Sequence, residues 1–452
     1  MFSPHTLQDR EAMLRAIGAA DIEQLFTAVP TAKRFPRLNL PPAMAEMDAA
    51  QELRHISEAN ETARELACFL GAGAYNHYVP AVVDSILRRG EFYTAYTPYQ
   101  PEVSQGTLQA IFEFQSLMCA LTGMEVSNAS HYDGATAVAE AVNMAYAEFR
   151  GKRTKIVLSP ALHPHYRATV HTYIQGTEVT AVGGGGDPHS TPDALLAHVD
   201  AETALVMVQY PDFFGRVYDY RALAEAVHQA GALFAVAVNP LALGLLTPPG
   251  AFDADIVTGE GQPLGIPLSF GGPYLGIFTT RKKYVRKMAG RLVGQTVDNR
   301  GQRGFVLTLT AREQHIRREK ATSNICSNQG LMTLAATVYL SALGKQGLRQ
   351  VAELNYHKAH YAAARIASLP GFALWQPQTP FFNEFVIQCP SPVEKINTHL
   401  LEHGILGGYN LREDYPSLQN HMLLAVTEMN SREEIDLLVD VLAESAQEAA
   451  DD

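Results

Sequence analysis

The sequence has a long stretch without lysine, from Lys155 to Lys282. No side chain within this stretch can supply the amine that forms an imine with an aldehyde group. Cysteine is also scarce, with four residues that are far apart and contain no Cys-x-x-Cys pair. This pattern favours neither a zinc site nor a disulfide framework, and we expect buried thiols in a reducing cytoplasm.

Long apolar runs and an excess of positive charge are absent too. The longest apolar stretch, residues 331–343, is too short and too interrupted to cross a membrane. The first residues lack a basic segment followed by an apolar run, so we expect no signal peptide. The net charge of −12 repels phosphate backbones and argues against nucleic-acid binding, and solubility is the simpler explanation of the acidity.

The sequence does contain enough apolar residues for a large core. It has 452 residues, of which 47% are hydrophobic and 18% charged, and this predicts more than one domain. Residues 1–60 are predicted to form a helical arm and a linker, because Thr6 and Asp9 match a capping box and Gly18 can end the helix. Prolines interrupt the extended segment that follows: Pro30, Pro36, Pro41 and Pro42.

Residues 61–345 alternate β-rich runs with helical ones. The runs with the composition of strands are KIVLS, EVTAV, ALVMVQY, LFAVAV, ADIVTG and LGIFTT. The helical run YRALAEAVHQAG lies between ALVMVQY and LFAVAV. A strand, a helix and a strand at this spacing predict a large α/β domain with a mostly parallel sheet that helices cover on both faces.

Residues 346–452 predict a smaller C-terminal α+β domain. Two long helical segments are expected before and within it, at 326–343 and 348–368. The strand-like runs EFVIQC and MLLAVT follow. Ser431 and Glu434 match a capping box at the start of the last helix.

One turn could bind an anion. The turn Ser130–Ala137 leads directly into a helical run and contains Asp133, Gly134, Ala135 and Thr136. Backbone N–H groups at a helix start, flanked by small residues, can bind a phosphate. An ordinary helix start, capped by Asp133 or Thr136, explains the same residues equally well, so both interpretations stay open.

Four segments carry long and uncommon motifs, at residues 69–80 (FLGAGAYNHYVP), 96–106 (YTPYQPEVSQG), 262–276 and 290–330. They closely resemble the glycine cleavage system P-protein family, and the similarity extends over essentially the whole chain. The resemblance implies the fold of pyridoxal phosphate (PLP)-dependent transferases, which is aspartate aminotransferase-like (fold type I). It implies a large domain with a mostly parallel sheet, a small C-terminal domain and an N-terminal helical arm.

In that fold a lysine holds PLP as a Schiff base, and an aspartate pairs with the ring nitrogen. By comparison with beta-type sequences of the family, Gln262 stands at the lysine position and Val236 at the aspartate position. An amide forms no imine and valine carries no charge, so the resemblance implies a chain without catalytic residues of its own. The chain then corresponds to the alpha subunit (subunit 1) of a glycine decarboxylase split into two subunits, and the turn at Asp133–Thr136 to a vestigial phosphate site.

The cofactors and partners follow from the same resemblance. The beta subunit (subunit 2) would carry PLP and decarboxylate glycine. The aminomethyl group would then pass to the lipoyl group of the H-protein, which is lipoate attached to that protein. The family suggests an alpha2-beta2 heterotetramer in the cytoplasm, with no metal, no membrane and no nucleic acid. The alpha chain would form part of the wall and the entrance of the beta active site.

Candidates for this wall lie in three segments. A proline-stiffened loop offers aromatic rings and polar groups, a second segment is centred on a histidine, and a third is basic. An interface loop without ligand contacts, a structural histidine and interface ion pairs are the respective simpler explanations. The candidates are Tyr96, Tyr99, Gln100, Glu102 and Gln105; Asn76, His77 and Tyr78; and Arg312, His315, Arg317, Arg318 and Lys320.

Two other functions stay open. A self-sufficient PLP enzyme would use another lysine, such as Lys282 or Lys283. A non-catalytic scaffold or regulatory subunit would have kept the fold without the chemistry. His163 and His165 follow the KIVLS strand, where PLP folds often place a ring-stacking residue, and we expect them to form hydrogen bonds within the core instead.

Overall fold

The computed structural model describes residues 4–451, with the side chains of Arg312 and of residues 447–451 outside that description. The chain divides into two compact units, the first ending at Glu61 and the second beginning at Thr62. Within the described part of the chain, no helix is both long enough and apolar enough to cross a membrane.

Two helices form most of the first unit: α1 (Leu7–Ile17) and α2 (Glu46–Glu58). The Thr6 hydroxyl accepts the N–H of Asp9 at 3.2 Å, and the Asp9 carboxylate accepts the N–H of Thr6 at 2.8 Å. Gly18 ends α1 with a left-handed φ of 72°. The capping box and the glycine stop are therefore confirmed. Two short 3-10 turns lie between the helices, at Glu23–Phe26 and Thr31–Lys33.

The helices of the second unit are α3 (Ala81–Leu87), α4 (Gly90–Tyr93), α5 (Gln105–Thr122), α6 (Gly134–Glu148), α7 (Pro164–Ile174), α8 (Arg221–Gln229), α9 (Gln314–Arg317), α10 (Gly330–Ile366), α11 (Val393–Glu402) and α12 (Arg432–Asp451). Gly344 interrupts α10 with a non-helical backbone, so α10 consists of two parts that match the two long helical segments expected. The 3-10 turns of the second unit are Pro101–Val103, Pro192–His198, Ala242–Gly244, Pro249–Phe252, Lys282–Tyr284, Thr310–Arg312 and Arg318–Lys320.

The strands of the second unit are short and numerous. They are β1 (Ala67–Cys68), β2 (Val126–Ser127), β3 (Lys155–Leu158), β4 (Thr180–Val182), β5 (Thr203–Tyr210), β6 (Leu233–Val238), β7 (Ile256–Glu260), β8 (Gly276–Thr280), β9 (Val293–Val297), β10 (Arg303–Leu307), β11 (Ala373–Leu374), β12 (Glu384–Gln388), β13 (Ile405–Leu406), β14 (Tyr409–Asn410) and β15 (His421–Ala425).

Seven strands form the large sheet, in the order β2-β8-β7-β6-β5-β3-β4. The five strands from β7 to β4 are parallel, whereas β8 is antiparallel to β7 and β2 is antiparallel to β8. All six predicted strands are present, but LGIFTT runs opposite to the others. The segment between β7 and β8 contains no crossover helix, so the chain returns directly and pairs antiparallel.

Helices cover both faces of this sheet. Side chains of α6 and α7 pack with Ile156, Met207 and Ala235 on one face, and side chains of α8 pack with Val208 and Val236 on the other. Both predicted features, the mostly parallel sheet and the crossover helix α8, are confirmed. The parallel strands consequently end at one edge of the sheet, where the loops that follow them meet.

A smaller antiparallel sheet lies in the last third of the chain, in the order β11-β12-β15-β14. Its core includes Phe385 and Leu424 from the sheet and apolar residues of α10, α11 and α12. The Ser431 hydroxyl accepts the N–H of Glu434 at 3.1 Å, and the Glu434 carboxylate accepts the N–H of Ser431 at 2.7 Å. The capping box predicted for α12 is therefore confirmed.

The hairpin β9–β10 was not expected from the sequence. Its turn is held by the Asp298 carboxylate, which accepts the N–H groups of Arg300 and Gln302, both at 2.8 Å. Side chains of α5 attach the hairpin to the unit, since the Gln105 amide bridges both backbone groups of Phe305.

Candidate functional site

Buried polar side chains from several elements meet at the carboxyl edge of the large sheet. In open α/β folds this edge is where ligands bind. We call the group the edge cluster, and its side chains are no more than 9% exposed. Its members are Tyr75, His163, Glu260, Gln262 and Glu384.

The side chain of Gln262, in the loop after β7, is hydrogen-bonded to the loop that contains Tyr75. Its amide oxygen accepts the N–H of Tyr75 at 2.9 Å, and its amide nitrogen donates to the carbonyls of Tyr75 at 2.9 Å and Ile266 at 2.8 Å. Gln262 is fully buried. Its side chain therefore has both N–H groups and its oxygen engaged with backbone partners.

Glu260 is the last residue of β7, and its side chain lies against the start of α6. Its carboxylate accepts the N–H groups of Gly134 and Gln262 at 2.9 Å and of Leu275 at 3.0 Å. Burial raises the pKa of Glu260 to about 7, although these three donors act in the opposite direction. A side-chain carboxylate of the chain itself thus occupies the backbone donor of Gly134.

Asp133 caps the same helix. The N–H of Thr136 donates to the Asp133 carboxylate at 2.7 Å, and the Thr136 hydroxyl accepts the N–H of Asp133 at 3.1 Å. A Cβ added at Gly134 would lie 2.5 Å from the Tyr166 hydroxyl, so little space remains above this turn. The capped helix start is therefore present in the turn Asp133-Gly134-Ala135-Thr136, and the vestigial phosphate site stays a prediction.

Glu384 joins β12 to the loop before α3. Its carboxylate accepts the N–H of Ala72 and the hydroxyl of Tyr75, both at 2.8 Å. Burial raises the pKa of Glu384 to about 7. Burial also raises the pKa of Tyr75 well above its usual value, and the neighbouring carboxylate of Glu384 raises it further. A protonated carboxyl at this position keeps both contacts, because its carbonyl oxygen still accepts the N–H of Ala72 and its O–H donates to the Tyr75 hydroxyl.

His163 lies beneath the same loop in its neutral form. Its Nε2 lies 2.7 Å from the carbonyl of Ala72, and its Nδ1 accepts the N–H of His165 at 3.1 Å. Because a carbonyl only accepts, Nε2 carries the hydrogen. Burial lowers the pKa of His163 to about 4. This is the hydrogen-bonding role expected of His163, whereas the side chain of His165 is exposed.

The predicted loop at Tyr96–Gln105 is partly exposed. Tyr96 is 81% exposed, and Gln100 and Glu102 are exposed as well. The Tyr99 hydroxyl accepts a hydrogen bond from the Arg291 guanidinium at 2.9 Å. Tyr96 lines a cavity of about 250 Å³ between this loop and the start of α10.

The second predicted group is buried at its centre. His77 is 7% exposed, and its Nδ1 lies 2.8 Å from the Glu428 carboxylate, which also accepts the N–H of Tyr78 at 2.7 Å. Burial alone would raise the pKa of Glu428, but these two contacts outweigh it and the pKa is lowered. Asn76 donates to Ala63, and the side chain of Tyr78 is 58% exposed.

The basic segment is largely exposed. Arg317, Arg318 and Lys320 are exposed, and His315 lies 3.7 Å from Glu313. The side chain of Arg312 lies outside the described residues. For this group both the wall role and the simpler explanation, interface ion pairs, stay predictions.

Two buried residues of opposite charge type, Arg291 and Glu313, were not predicted from the sequence. Arg291 is 2% exposed and Glu313 is 8% exposed, and both line a cavity of about 230 Å³ that Arg317 also lines. Within the described part of the chain, Nε and Nη1 of Arg291 and Oε1 of Glu313 have no hydrogen-bond partner. The cavity therefore offers two donors and one acceptor to a polar group that enters it.

Comparison with solved structures defines the class of fold. One chain of a crystal structure of glycine decarboxylase (P-protein) of the glycine cleavage system, in inhibitor-bound form, matches with a TM-score of 0.88 and 43% identity, covering 98% of this chain and 99% of that chain. Glutamate decarboxylase of Lactobacillus brevis shares the fold at 15% identity, with a TM-score of 0.67 over 93% of this chain and 97% of that one. The fold is that of PLP-dependent transferases of fold type I.

Comparison of sequences then gives the family. The family model of the glycine cleavage system P-protein matches residues 2–442. A protein of Thermomicrobium roseum named probable glycine dehydrogenase (decarboxylating) subunit 1 is 58% identical over 448 residues, covering 98% of this chain and 99% of that protein. This chain belongs to the glycine cleavage system P-protein family.

The edge cluster does not fit PLP, the cofactor that the fold class implies. PLP needs a side-chain amine for its aldehyde, free backbone donors for its phosphate and a carboxylate for its ring nitrogen. Gln262 is an amide whose polar atoms are engaged, and the N–H of Gly134 donates to Glu260. Val236, at the position of the carboxylate, carries no charge and is fully buried in the apolar core between the sheet and α8.

Proposed function

We propose that this chain is the alpha subunit of a two-subunit glycine decarboxylase and that PLP is bound by the beta subunit. Together they decarboxylate glycine and transfer the aminomethyl group to the lipoate of the H-protein. The main support is Gln262, whose buried amide is committed to the backbone of Tyr75 and Ile266. Relatives named subunit 1 align with the chain from end to end, which also supports the proposal.

In this proposal the chain forms part of the wall of an active site on the beta subunit. The loop Tyr96–Gln105 supplies exposed rings, and Gln105 fixes its end to Phe305. Arg291 donates to the hydroxyl of Tyr99 and keeps the N–H groups of its Nε and Nη1 available. The wall thus combines aromatic surface with a buried cation, which suits a polar substrate or partner group.

Exposed apolar side chains support a partner subunit. Neither α1 nor α2 contains a buried residue, and Leu7 and Met47 are each 76% exposed. In the second unit, Val103 is 80% exposed and lies next to Glu102. Apolar surface of this extent is typical of an interaction site. We propose an alpha2-beta2 assembly, and the expected cytoplasmic location stays a prediction.

The self-sufficient enzyme is less well supported. Lys282 and Lys283 follow β8, whose last residue Thr280 pairs with Ile256, the first residue of β7. They therefore lie at the amino edge of the parallel strands, opposite to Gln262. The hydrogen bond with Tyr284, and to a smaller extent the charge of Asp255, raise the pKa of Lys283, whereas a lysine that forms a Schiff base needs a deprotonated amine.

Exchange of labelled CO2 into the carboxyl group of glycine tests the proposal. The assay uses the purified chain with PLP, the beta subunit with PLP, and a stoichiometric mixture, each with and without H-protein. We expect exchange only in the mixture and a higher rate with H-protein. Exchange by this chain alone would contradict the proposal, and full exchange by the beta subunit alone would leave this chain the role of a scaffold.

A further inference from the structure

Three side chains of types that can bind a metal ion lie close together at the end of α11 and on α12, away from the edge cluster. His399 lies in the last turn of α11, His403 directly follows that helix, and Glu444 lies on α12. One ligand atom from each of them lies within 4.8 Å of the other two. Histidines four residues apart share one face of a helix, as in metal sites built on a helix.

A backbone hydrogen bond fixes the orientation of His403. Its Nδ1 lies 2.9 Å from the carbonyl oxygen of His399. Because the carbonyl only accepts, Nδ1 carries the hydrogen, and in the neutral ring the lone pair is on Nε2. This Nε2 lies 3.9 Å from the carboxylate of Glu444. A backbone carbonyl that holds the second ring nitrogen is the contact that typically orients a metal-binding histidine.

His399 contributes a nitrogen without a partner. Its side chain is 18% exposed, and within the described residues its buried Nε2 has no hydrogen-bond partner. This Nε2 lies 3.7 Å from the same oxygen of Glu444 that faces His403. Two nitrogens therefore face one carboxylate oxygen at distances that are too long for hydrogen bonds. A cation between the three atoms would satisfy all of them.

We propose that His399, His403 and Glu444 bind a divalent transition-metal ion of the Zn²⁺ type. Two imidazoles and one carboxylate suit Zn²⁺, whereas Mg²⁺ and Ca²⁺ prefer oxygen ligands throughout. Tetrahedral bonds of about 2.0–2.2 Å put ligand atoms about 3.4 Å apart. The Glu444 side chain is 59% exposed, so its oxygen is free to move closer to both nitrogens, from 3.7 and 3.9 Å. The two nitrogens lie within 4.8 Å of each other, and rotation of the imidazole rings would bring them to the remaining positions. Water completes the coordination.

The site would tie two helices together. Val393 and Leu400 of α11 share one apolar core with Leu438 and Leu442 of α12. A metal ion that binds the folded chain and not the unfolded chain raises its thermal stability by mass action. Bound Zn²⁺ is therefore expected to raise the Tm of the chain.

Isothermal titration of the full chain, without a histidine tag, with ZnCl₂ tests the site. We expect saturable binding of one equivalent near neutral pH, a Tm that rises with ZnCl₂, and visible absorption bands of tetrahedral Co²⁺ when CoCl₂ replaces ZnCl₂. His403→Ala should weaken binding by more than about tenfold. Glu444→Gln, at an exposed position, should weaken it without lowering the Tm of the metal-free chain.

His198→Ala is the matched control, because it removes an exposed histidine elsewhere on the chain. It should leave the titration unchanged. Absence of one-equivalent binding would overturn the proposal and leave an ion pair of Glu444 with protonated histidine. Binding that survives both His403→Ala and Glu444→Gln would overturn it as well, since the ion would then lie elsewhere.

Discussion

Gln262 and Tyr75 are joined by two reciprocal hydrogen bonds, each 2.9 Å long, between the amide side chain of Gln262 and the backbone of Tyr75. They connect the loop after β7 with the loop before α3. The side chain of Tyr75 continues the connection to Glu384 on β12. The edge of the sheet where ligands usually bind is thus closed by the chain itself.

Gln262→Glu should destabilise the second unit. A carboxylate would face the carbonyls of Tyr75 and Ile266 without a donor for either. We expect a loss of about 3 kcal/mol at pH 8, and a smaller loss at pH 5, where a protonated carboxyl regains one donor. The measurement is the urea-denaturation midpoint at both pH values.

Gln350→Glu is the control for this substitution, since Gln350 is exposed on α10. It should change the free energy of unfolding by less than about 0.5 kcal/mol. A Gln262→Glu chain as stable as this control at pH 8 would contradict the hydrogen-bonding role of Gln262.

Glu384→Gln should flatten the dependence of stability on pH. Burial raises the pKa of Glu384 from 4.5 to about 7, so the folded chain binds more protons than the unfolded chain between these values. The stability from this group is complete below pH 4.5 and is lost as the pH rises through 7, by up to about 3 kcal/mol. An amide does not titrate, and it still accepts from Ala72 and donates to Tyr75.

Urea midpoints from pH 4.5 to pH 8 measure this effect. We expect the loss of stability over this range to be smaller in Glu384→Gln than in the wild type, and Glu402→Gln, at an exposed position, to behave like the wild type. Part of the slope should persist, because burial also raises the pKa of Glu140 and Glu260 to about 7. Parallel curves for the wild type and Glu384→Gln would show that Glu384 is already ionised.

Gly134→Ala should cost stability although alanine favours helices. Its Cβ would lie 2.5 Å from the Tyr166 hydroxyl and 3.0 Å from the backbone of Glu260. We expect a loss of about 1–3 kcal/mol from this overpacking. Gly106→Ala, in the first turn of α5, meets no atom within 4 Å and should instead be neutral or stabilising by up to about 1 kcal/mol. Thermal unfolding of both variants distinguishes the two positions, and equal effects would show that the turn is open.

Tyr99→Phe tests the proposed wall. The substitution removes the acceptor of Arg291 but keeps the ring. We expect the Tm of the free chain to fall only slightly, because one hydrogen bond is worth about 1 kcal/mol. The kcat/KM for glycine decarboxylation by the assembled enzyme should fall by about tenfold, because the buried Arg291 loses its position. Tyr356→Phe, on α10, is the control and should keep full activity. Unchanged kcat/KM in Tyr99→Phe would remove Tyr99 from the wall.

Local signals in the sequence predicted much of the fold. The capping boxes at Thr6 and Ser431 and the helix end at Gly18 depend on neighbouring residues, and all are present. The direction of β8 could not be predicted, because it depends on the missing crossover helix. The hairpin β9–β10 depends on a polar turn at Asp298 and on contacts with α5 that are distant in sequence.

The residues of the candidate site were predicted less well. The comparison with beta-type sequences of the family identifies Gln262. Glu260, only two residues away, was overlooked, although an acid at the end of a buried strand signals a buried charge. Glu384 and Arg291 gave no local signal, since their partners Tyr75 and Tyr99 are far away in the sequence.

Reduction with borohydride followed by peptide mass spectrometry tests whether this chain binds PLP covalently. The purified chain and its mixture with the beta subunit are incubated with PLP, reduced, and digested. We expect no pyridoxyl-modified peptide from this chain beyond that of a heat-unfolded control, and one modified lysine on the beta subunit. A stoichiometric pyridoxyl group on any lysine of the folded chain would contradict this expectation.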